Sequence, residues 1–286
     1  MGYSVKRLSD TFVAEVVGID LSNDLDQVLV NTIRSALLEH KVLVFRGQNL
    51  SNKQHVEFSN KFGPSEYHSV TQYTLPEFPE ILVFSNRGGQ GTKPIANGGS
   101  YWHSDMSYKS IPPLGSILYA LEVPPEGGET KFCDMAAAYE SLSTEYKQKI
   151  EDLYALHSYL PRFIASRKAD YEFQKNRFEL TEIQKSEFTE VAHPIVRTHP
   201  ENNSKALFVN EGFTIGIRGM VESESKEILT NLFKSAAKDC FIYTHQWTVG
   251  DVVFWDNRST MHKACEYDLK YSRRMQRTTI RGDSPI

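Results

Sequence analysis

A chain of 286 residues, 40% hydrophobic and 24% charged, can bury a large core, and that composition excludes wholesale disorder. A net charge of −4 argues against nucleic acid as an obligatory partner, because phosphate backbones call for a basic surface. Cys133, Cys240 and Cys265 have no Cys-x-x-Cys spacing, the N-terminus lacks an apolar leader, and no apolar run approaches the roughly 18 residues of a membrane span, so a cytoplasmic protein with reduced thiols and no membrane partner is expected.

Residues 11–21 are β-branched and apolar and predict a strand that breaks at Ser22-Asn23-Asp24. Leu25, Leu29, Ile33 and Leu37 recur every four residues and predict a helix ending near Glu39-His40. Residues 41–47 predict a short buried strand closed by Gly47. Ser51 and Gln54 form a capping box that opens a helix with His55, Phe58 and Phe62 on one face. Residues 80–85 read as a strand, followed over 86–99 by a glycine-rich loop. No Lys-Ser/Thr follows that loop and no helix opens there, so it predicts a loop beside a site and not a phosphate cradle.

Residues 116–121 and 129–133 predict strands around the turn Pro124-Pro125-Glu126-Gly127-Gly128, and Asp134 and Ser143 are helix caps. Residues 160–190 have no clean periodicity and predict an insertion, which either covers a site as a lid or is a solvated helical excursion. Residues 193–199 and 205–210 read as two strands, 223–238 as a helix, 240–247 and 251–256 as two strands joined at Val249-Gly250, and 274–280 as a last strand. Short strands on both sides of the helices, without regular β-α alternation, predict one α+β domain over 1–286 with a jelly-roll, or double-stranded β-helix, core decorated by helices.

His103 and Asp105 stand two residues apart, and in an extended strand such positions share a face, so both can aim at one metal ion. His262 is the best third ligand. Two histidines and a carboxylate make a facial triad with open positions, the set expected of a non-haem iron(II) oxygenase, although a His-x-Asp pair alone is common without a metal. Arg273 and Arg277 also share a strand face by parity. Guanidiniums facing inward need anions to meet them, and their planar fork suits a carboxylate; two exposed strand arginines are the plainer alternative.

Residues 41–48, Trp102-His103-Ser104-Asp105, Gly127-Gly128-Glu129-Thr130, 193–200, 207–214, Trp255-Asp256-Asn257-Arg258 and 273–277, in that order, carry a resemblance across most of the length of the sequence to the taurine dioxygenase and 2,4-dichlorophenoxyacetate dioxygenase family. It implies a clavaminate synthase-like fold and an enzyme that uses Fe(II), 2-oxoglutarate and dioxygen, hydroxylating a small organic anion, an alkyl sulfonate or carboxylate, with release of succinate and carbon dioxide. It also implies iron ligands at His103, Asp105 and His262, 2-oxoglutarate contacts at Thr130 and Arg273, and substrate contacts at His68, Phe213 and Arg277. Where taurine enzymes carry an asparagine and a tyrosine, this chain has Gly99 and Thr71, a departure that bears on taurine as substrate. Other readings stay open: the same chemistry on an uncharged or amino-acid-like metabolite, a zinc hydrolase, a non-catalytic jelly-roll binding protein, and assembly as a homo-oligomer.

Overall fold

The computed structural model describes residues 2–8, 10, 12–95, 98–162, 164, 181–182, 185 and 188–286. Most of the expected insertion at 160–190 lies outside the described residues. The elements in chain order are β1 (Ser4–Arg7), β2 (Val13–Val17), α1 (Gln27–His40), β3 (Val42–Phe45), α2 (Asn52–Asn60), β4 (Leu82–Ser85), β5 (Gly115–Glu122), β6 (Thr130–Asp134), α3 (Met135–Glu140) and α4 (Thr144–Ile150). They continue with β7 (Tyr154–His157), β8 (Val191–Pro194), β9 (Val196–Thr198), β10 (Lys205–Leu207), β11 (Thr214–Ile217), α5 (Glu222–Ala236), β12 (Ile242–His245), β13 (Val252–Asp256), β14 (Thr260–Ala264) and β15 (Arg274–Ile280).

A seven-stranded sheet runs β1-β2-β3-β13-β5-β15-β4, and a three-stranded sheet runs β12-β6-β14. Two smaller sheets, β11-β7-β8 and β10-β9, flank them. Among the described residues, all strand pairs are antiparallel except β2 with β3, which α1 connects, so the large sheet is mixed.

Strand alternation sorts the side chains into layers. Leu43, Phe45, Val252 and Phe254 face α1 and α2 and pack with Ile33, Leu37 and Phe58, while Val42, Val44, Val253, Trp255 and Met275 turn to the opposite face. There they meet Phe132 of β6, whose ring centroid lies 5.5 Å from that of Trp255, so the small sheet lies against the large one. Cys133 of β6 and Met261 of β14 point away from that space, toward Met135 of α3 and Leu232 of α5. The residue after Met261 therefore points between the sheets, and that residue is His262.

Several expected elements lie where the sequence puts them: α1, the capping box at Ser51 and Gln54, the caps at Asp134 and Ser143, and α5. The expected single strand 193–199 is instead two strands in different sheets. Pro194 has no N–H to give, and the backbone of Ile195 bonds Leu153 on one side and Phe208 on the other. Among the described residues, no helix is long and apolar enough to cross a membrane.

Candidate active site

His262 is brought to the site by β14, and His103 pairs with it backbone to backbone. The His103 N–H donates to the His262 carbonyl at 3.0 Å and the His262 N–H to the His103 carbonyl at 2.7 Å, which leaves the two ring centroids 4.1 Å apart. Asp105 reaches the same place from a turn, not from an extended strand, with the next residue, Met106, at a φ of 45°. Its Oδ1 lies 3.7 Å from His103 Nε2 and 3.9 Å from His262 Nε2, and the ligand atoms of all three buried residues fall within 4.8 Å of one another. These gaps are too long for hydrogen bonds, but one divalent cation about 2 Å from each donor would fill them.

The protonation states suit such a cation. Burial is the largest influence on His103 and His262 and holds both imidazoles below their ordinary value, against the pull of the Asp105 charge. His103 Nδ1 lies 2.8 Å from the Tyr101 carbonyl, which fixes its proton there and leaves Nε2 as a lone pair facing Asp105. Burial opposes ionisation of Asp105, but Arg277, His262, His103 and the Ser116 hydroxyl outweigh it and hold the carboxyl well below the usual range. Two neutral imidazoles and an ionised carboxylate have no proton to lose when a metal arrives, so the donor set fits the group.

Arg277 donates from Nη1 to Asp105 Oδ1, the same oxygen that faces the histidines, and its guanidinium lies over the Phe84 ring, 5.2 Å from its centroid. His68 is half-buried. Burial first, and then the Arg277 charge, depress its pKa to about 3. Its Nδ1 accepts the Val70 N–H at 3.0 Å, so the neutral ring carries its proton on Nε2. Phe213 stands edge-on to His103, Tyr101 and Tyr108, with centroids 5.9, 5.8 and 4.9 Å away. Tyr159 packs against Tyr108 and Phe213, and the Arg162 guanidinium covers the Tyr101 ring at 3.9 Å. The fold thus brings His68, Phe213 and Arg277 around one side of the His103–Asp105–His262 group. Gly99 lies against the Cε1–Nε2 edge of His103, where an added Cβ would come 3.0 Å from Cε1.

Arg273 and Thr130 lie beyond that group. Thr130 heads β6, and its Oγ1 accepts the Trp247 indole N–H at 3.0 Å, so its own hydroxyl proton is left to donate elsewhere. Arg273 precedes β15, and a register shift between Arg274 and Met275 interrupts the simple parity with Arg277, yet both arginines are buried. Its Nη2 donates to the Gly128 carbonyl at 3.3 Å, and its guanidinium lies 5.7 Å from the Tyr267 ring centroid. Gly128 has a φ of +73°, and a Cβ there would press on Arg273 Nε at 3.2 Å, which is why a glycine stands in this turn. Beside Arg273 is a small, partly open cleft, lined also by Phe84, Ser100, Ala264, Glu266 and Tyr267. No carboxylate pairs with Arg273 among the described residues. A buried guanidinium with no carboxylate paired to it has donors that suit an anion.

Sequence reasoning did not single out Ser116, Asn257, Tyr101, Tyr108 or Tyr159. Asn257 stands in the quoted Trp-Asp-Asn-Arg run, but nothing in a linear pattern shows which atom its amide addresses.

A His–Asp–His group gathered beside two packed sheets, with buried arginines around it, defines the class of non-haem iron dioxygenases. The sequence profile described as "Taurine catabolism dioxygenase TauD, TfdA family" matches residues 4–279, and the chain belongs to that family. It is 33% identical over 297 residues to the alpha-ketoglutarate-dependent 2,4-dichlorophenoxyacetate dioxygenase of Cupriavidus pinatubonensis, covering 100% of both proteins. It is 33% identical over 287 residues to the alkylsulfatase of Acinetobacter baylyi, covering 98% of this chain and 85% of that protein. The crystal structure of AAD-2 in complex with Mn(II) and N-oxalylglycine superposes with a TM-score of 0.81 at 33% identity, covering 100% of this chain and 99% of the other. The protein is thus an alpha-ketoglutarate-dependent dioxygenase, an enzyme of Fe(II), 2-oxoglutarate and dioxygen.

Proposed function

We propose that the chain hydroxylates a small organic anion with an apolar body, releasing succinate and carbon dioxide. In this reading His103, Asp105 and His262 hold iron(II), Thr130 and Arg273 hold the distal carboxylate of 2-oxoglutarate, and His68, Phe213 and Arg277 receive the primary substrate. The observation that carries it is the approach of the three buried donors to within 4.8 Å of one another, with Arg277 on the carboxylate among them. Bound iron with 2-oxoglutarate and dioxygen supplies the oxidation of an unactivated C–H bond.

The chain's own residues bind and orient. Arg277 uses Nη1 on Asp105, and its buried Nε has no partner among the described residues, so the guanidinium keeps donor capacity for an anion. The Nε2–H of His68 is a second donor beside it. Val70, Met106, Tyr108 and Phe213 are buried together, with Tyr73, Tyr101 and Tyr159 against them, and this wall excludes water from the bond to be oxidised. A wall of that extent suits an aryloxy or alkyl body better than the two-carbon chain of taurine, in keeping with a relative that acts on 2,4-dichlorophenoxyacetate. The chain is further read as one domain with a double-stranded β-helix core, supported by the facing sheets, and as cytoplasmic, supported by three free thiols.

The test is succinate formation with iron(II) and 2-oxoglutarate across aryloxyalkanoates, alkyl sulfonates, alkyl sulfates and their uncharged analogues. Anions are expected to stimulate turnover, and His103→Ala, Asp105→Ala and His262→Ala are each expected to abolish it. Preference for an uncharged analogue would overturn the anion assignment, and zinc-supported hydrolysis without 2-oxoglutarate would overturn the iron site.

A further inference from the structure

We infer that Ser116 and Asn257 are positioning residues for the metal-binding carboxylate: together they fix which oxygen of Asp105 is offered to the ion, and where. This rests on the reading of His103, Asp105 and His262 as the iron site. Asp105 is only 2% exposed, and its two oxygens have different environments. Oδ1 faces the two imidazoles and Arg277, whereas Oδ2 accepts the Ser116 hydroxyl at 2.7 Å.

The direction of each hydrogen bond follows from the one before it. The Trp255 indole can only donate, and it donates to Asn257 Oδ1 at 3.0 Å; the Asp105 backbone N–H donates to the same oxygen at 3.2 Å. An inverted Asn257 amide would set N–H against N–H twice, so its orientation is fixed. Asn257 Nδ2 therefore points to Ser116 and donates to its Oγ at 3.1 Å. With Oγ already accepting, the single hydroxyl proton of Ser116 goes to Asp105 Oδ2. Ser104 adds a bond from its Oγ to the Asn257 carbonyl at 2.7 Å, tying the loop that carries two ligands to the turn between β13 and β14.

Trp255, Asn257 and Ser116 are each at most 1% exposed, so water cannot stand in for any member. The placement within the fold gives the network its use. Ser116 lies on β5 directly opposite Trp255 of β13, in the middle of the large sheet, while His262 belongs to the small sheet. Asp105 arrives on a loop between them. The network ties its carboxylate to the large sheet and so sets the separation of ligands that come from different parts of the fold.

Ser116→Ala removes one hydroxyl and little volume. Mn(II) titration of the metal-free protein, read by the electron spin resonance of the free ion, measures the site without turnover. Loss of a hydrogen-bond partner behind a metal ligand is expected to weaken Mn(II) binding by about tenfold to a hundredfold. Asn257→Ala should weaken it too, and the loss in the double variant should be smaller than the sum of the two single losses, because part of the Asn257 effect reaches Oδ2 through Ser116. A merely structural serine would lower the melting temperature and leave the titration of the folded protein unchanged. Should Ser116→Ala fail to fold, Ser116→Cys, which keeps the shape and only a weak donor, is judged on the same titration. A change below about threefold in the folded variant, against the tenfold or more expected of such partners, overturns the inference. His103→Ala separates the two layers of the reading. If it binds Mn(II) as the wild type does, the iron site itself is misplaced; if it loses Mn(II) while Ser116→Ala does not, only the positioning role falls.

Discussion

Arg273 and Arg277 are four residues apart and both buried, but their charges are met differently. Arg277 rests on a carboxylate, and Arg273 has a carbonyl, an aromatic face and a cleft. Burial pulls the Arg273 pKa down from its ordinary value, the mark of a charge that gains from an anionic guest. Arg273→Ala should therefore raise the apparent constant for 2-oxoglutarate by about tenfold to a hundredfold, from the roughly 1.5–3 kcal/mol of a hydrogen bond to a charged group. Lysine should restore part of this, keeping the charge but losing the fork. Arg277→Ala should give the opposite pattern, leaving 2-oxoglutarate binding to the anaerobic iron protein intact and impairing oxidation of an anionic substrate. Titration of 2-oxoglutarate into both variants decides it, and equal effects in the two would remove the division of labour.

At the scale of elements, the junction of β6 and α3 joins site to scaffold, because β6 carries Thr130 and pairs in register with the strand of His262. Asp134 closes β6 and caps α3, with Oδ1 accepting from the N–H groups of Ala136 and Ala137 at 3.0 and 2.9 Å and Oδ2 bonded to Lys41 Nζ at 2.9 Å. Asp134→Ala is expected to cost about 1–2 kcal/mol as a lost cap, and Asp134→Asn, which keeps an acceptor, should recover most of it. At about 2–4 °C per kcal/mol, thermal melting resolves the two, and equal melting of both variants would show that the ion pair with Lys41 matters and the cap does not.

This cap was legible in the sequence, as were the capping box of α2 and the stripes of α1 and α5, since each is a local pattern with a local cause. The strands β7, β11 and β14 were not. Thr260-Met261-His262-Lys263-Ala264 alternates too briefly to be heard, and its strand conformation comes from β6, far away in the chain. The site divides along the same line. His103, Asp105, His262 and Arg273 are chemically conspicuous wherever they stand, whereas Ser116 and Asn257 acquire meaning only from the direction of hydrogen bonds between β5, a turn and a loop.

Across the whole molecule, an unusual share of the histidines is buried and uncharged, which ties stability to pH. His55 is completely buried, and burial lowers its pKa from 6.5 to about 4. Burial does the same for His193, to about 4, and for His157, to about 3, where the neighbouring His193 adds to the effect. For a group whose folded value is depressed, the unfolded chain binds the proton more readily. The stability it contributes is therefore complete above about 6.5 and is lost as pH falls from there toward the folded value. By pH 5 the loss for His55 alone is on the order of 2 kcal/mol, at 1.36 kcal/mol per pKa unit. The buried carboxylates do not offset it. Asp105 and Asp256 are held below their ordinary value, Asp256 chiefly by Arg258 against the cost of burial, so their contributions persist until the pH drops under about 3.8 and then disappear as well. Denaturant unfolding of the metal-free protein, with chelator present so that ligand protonation does not enter through the metal, should show stability falling steadily from pH 7 to pH 5. His157→Gln, whose side chain does not titrate, should fall less steeply over the same interval. A flat profile between pH 7 and 5 would mean that these imidazoles accept protons in the folded state, and that the interior around β7, β8 and α2 admits water or a counter-charge that the packing described above denies them.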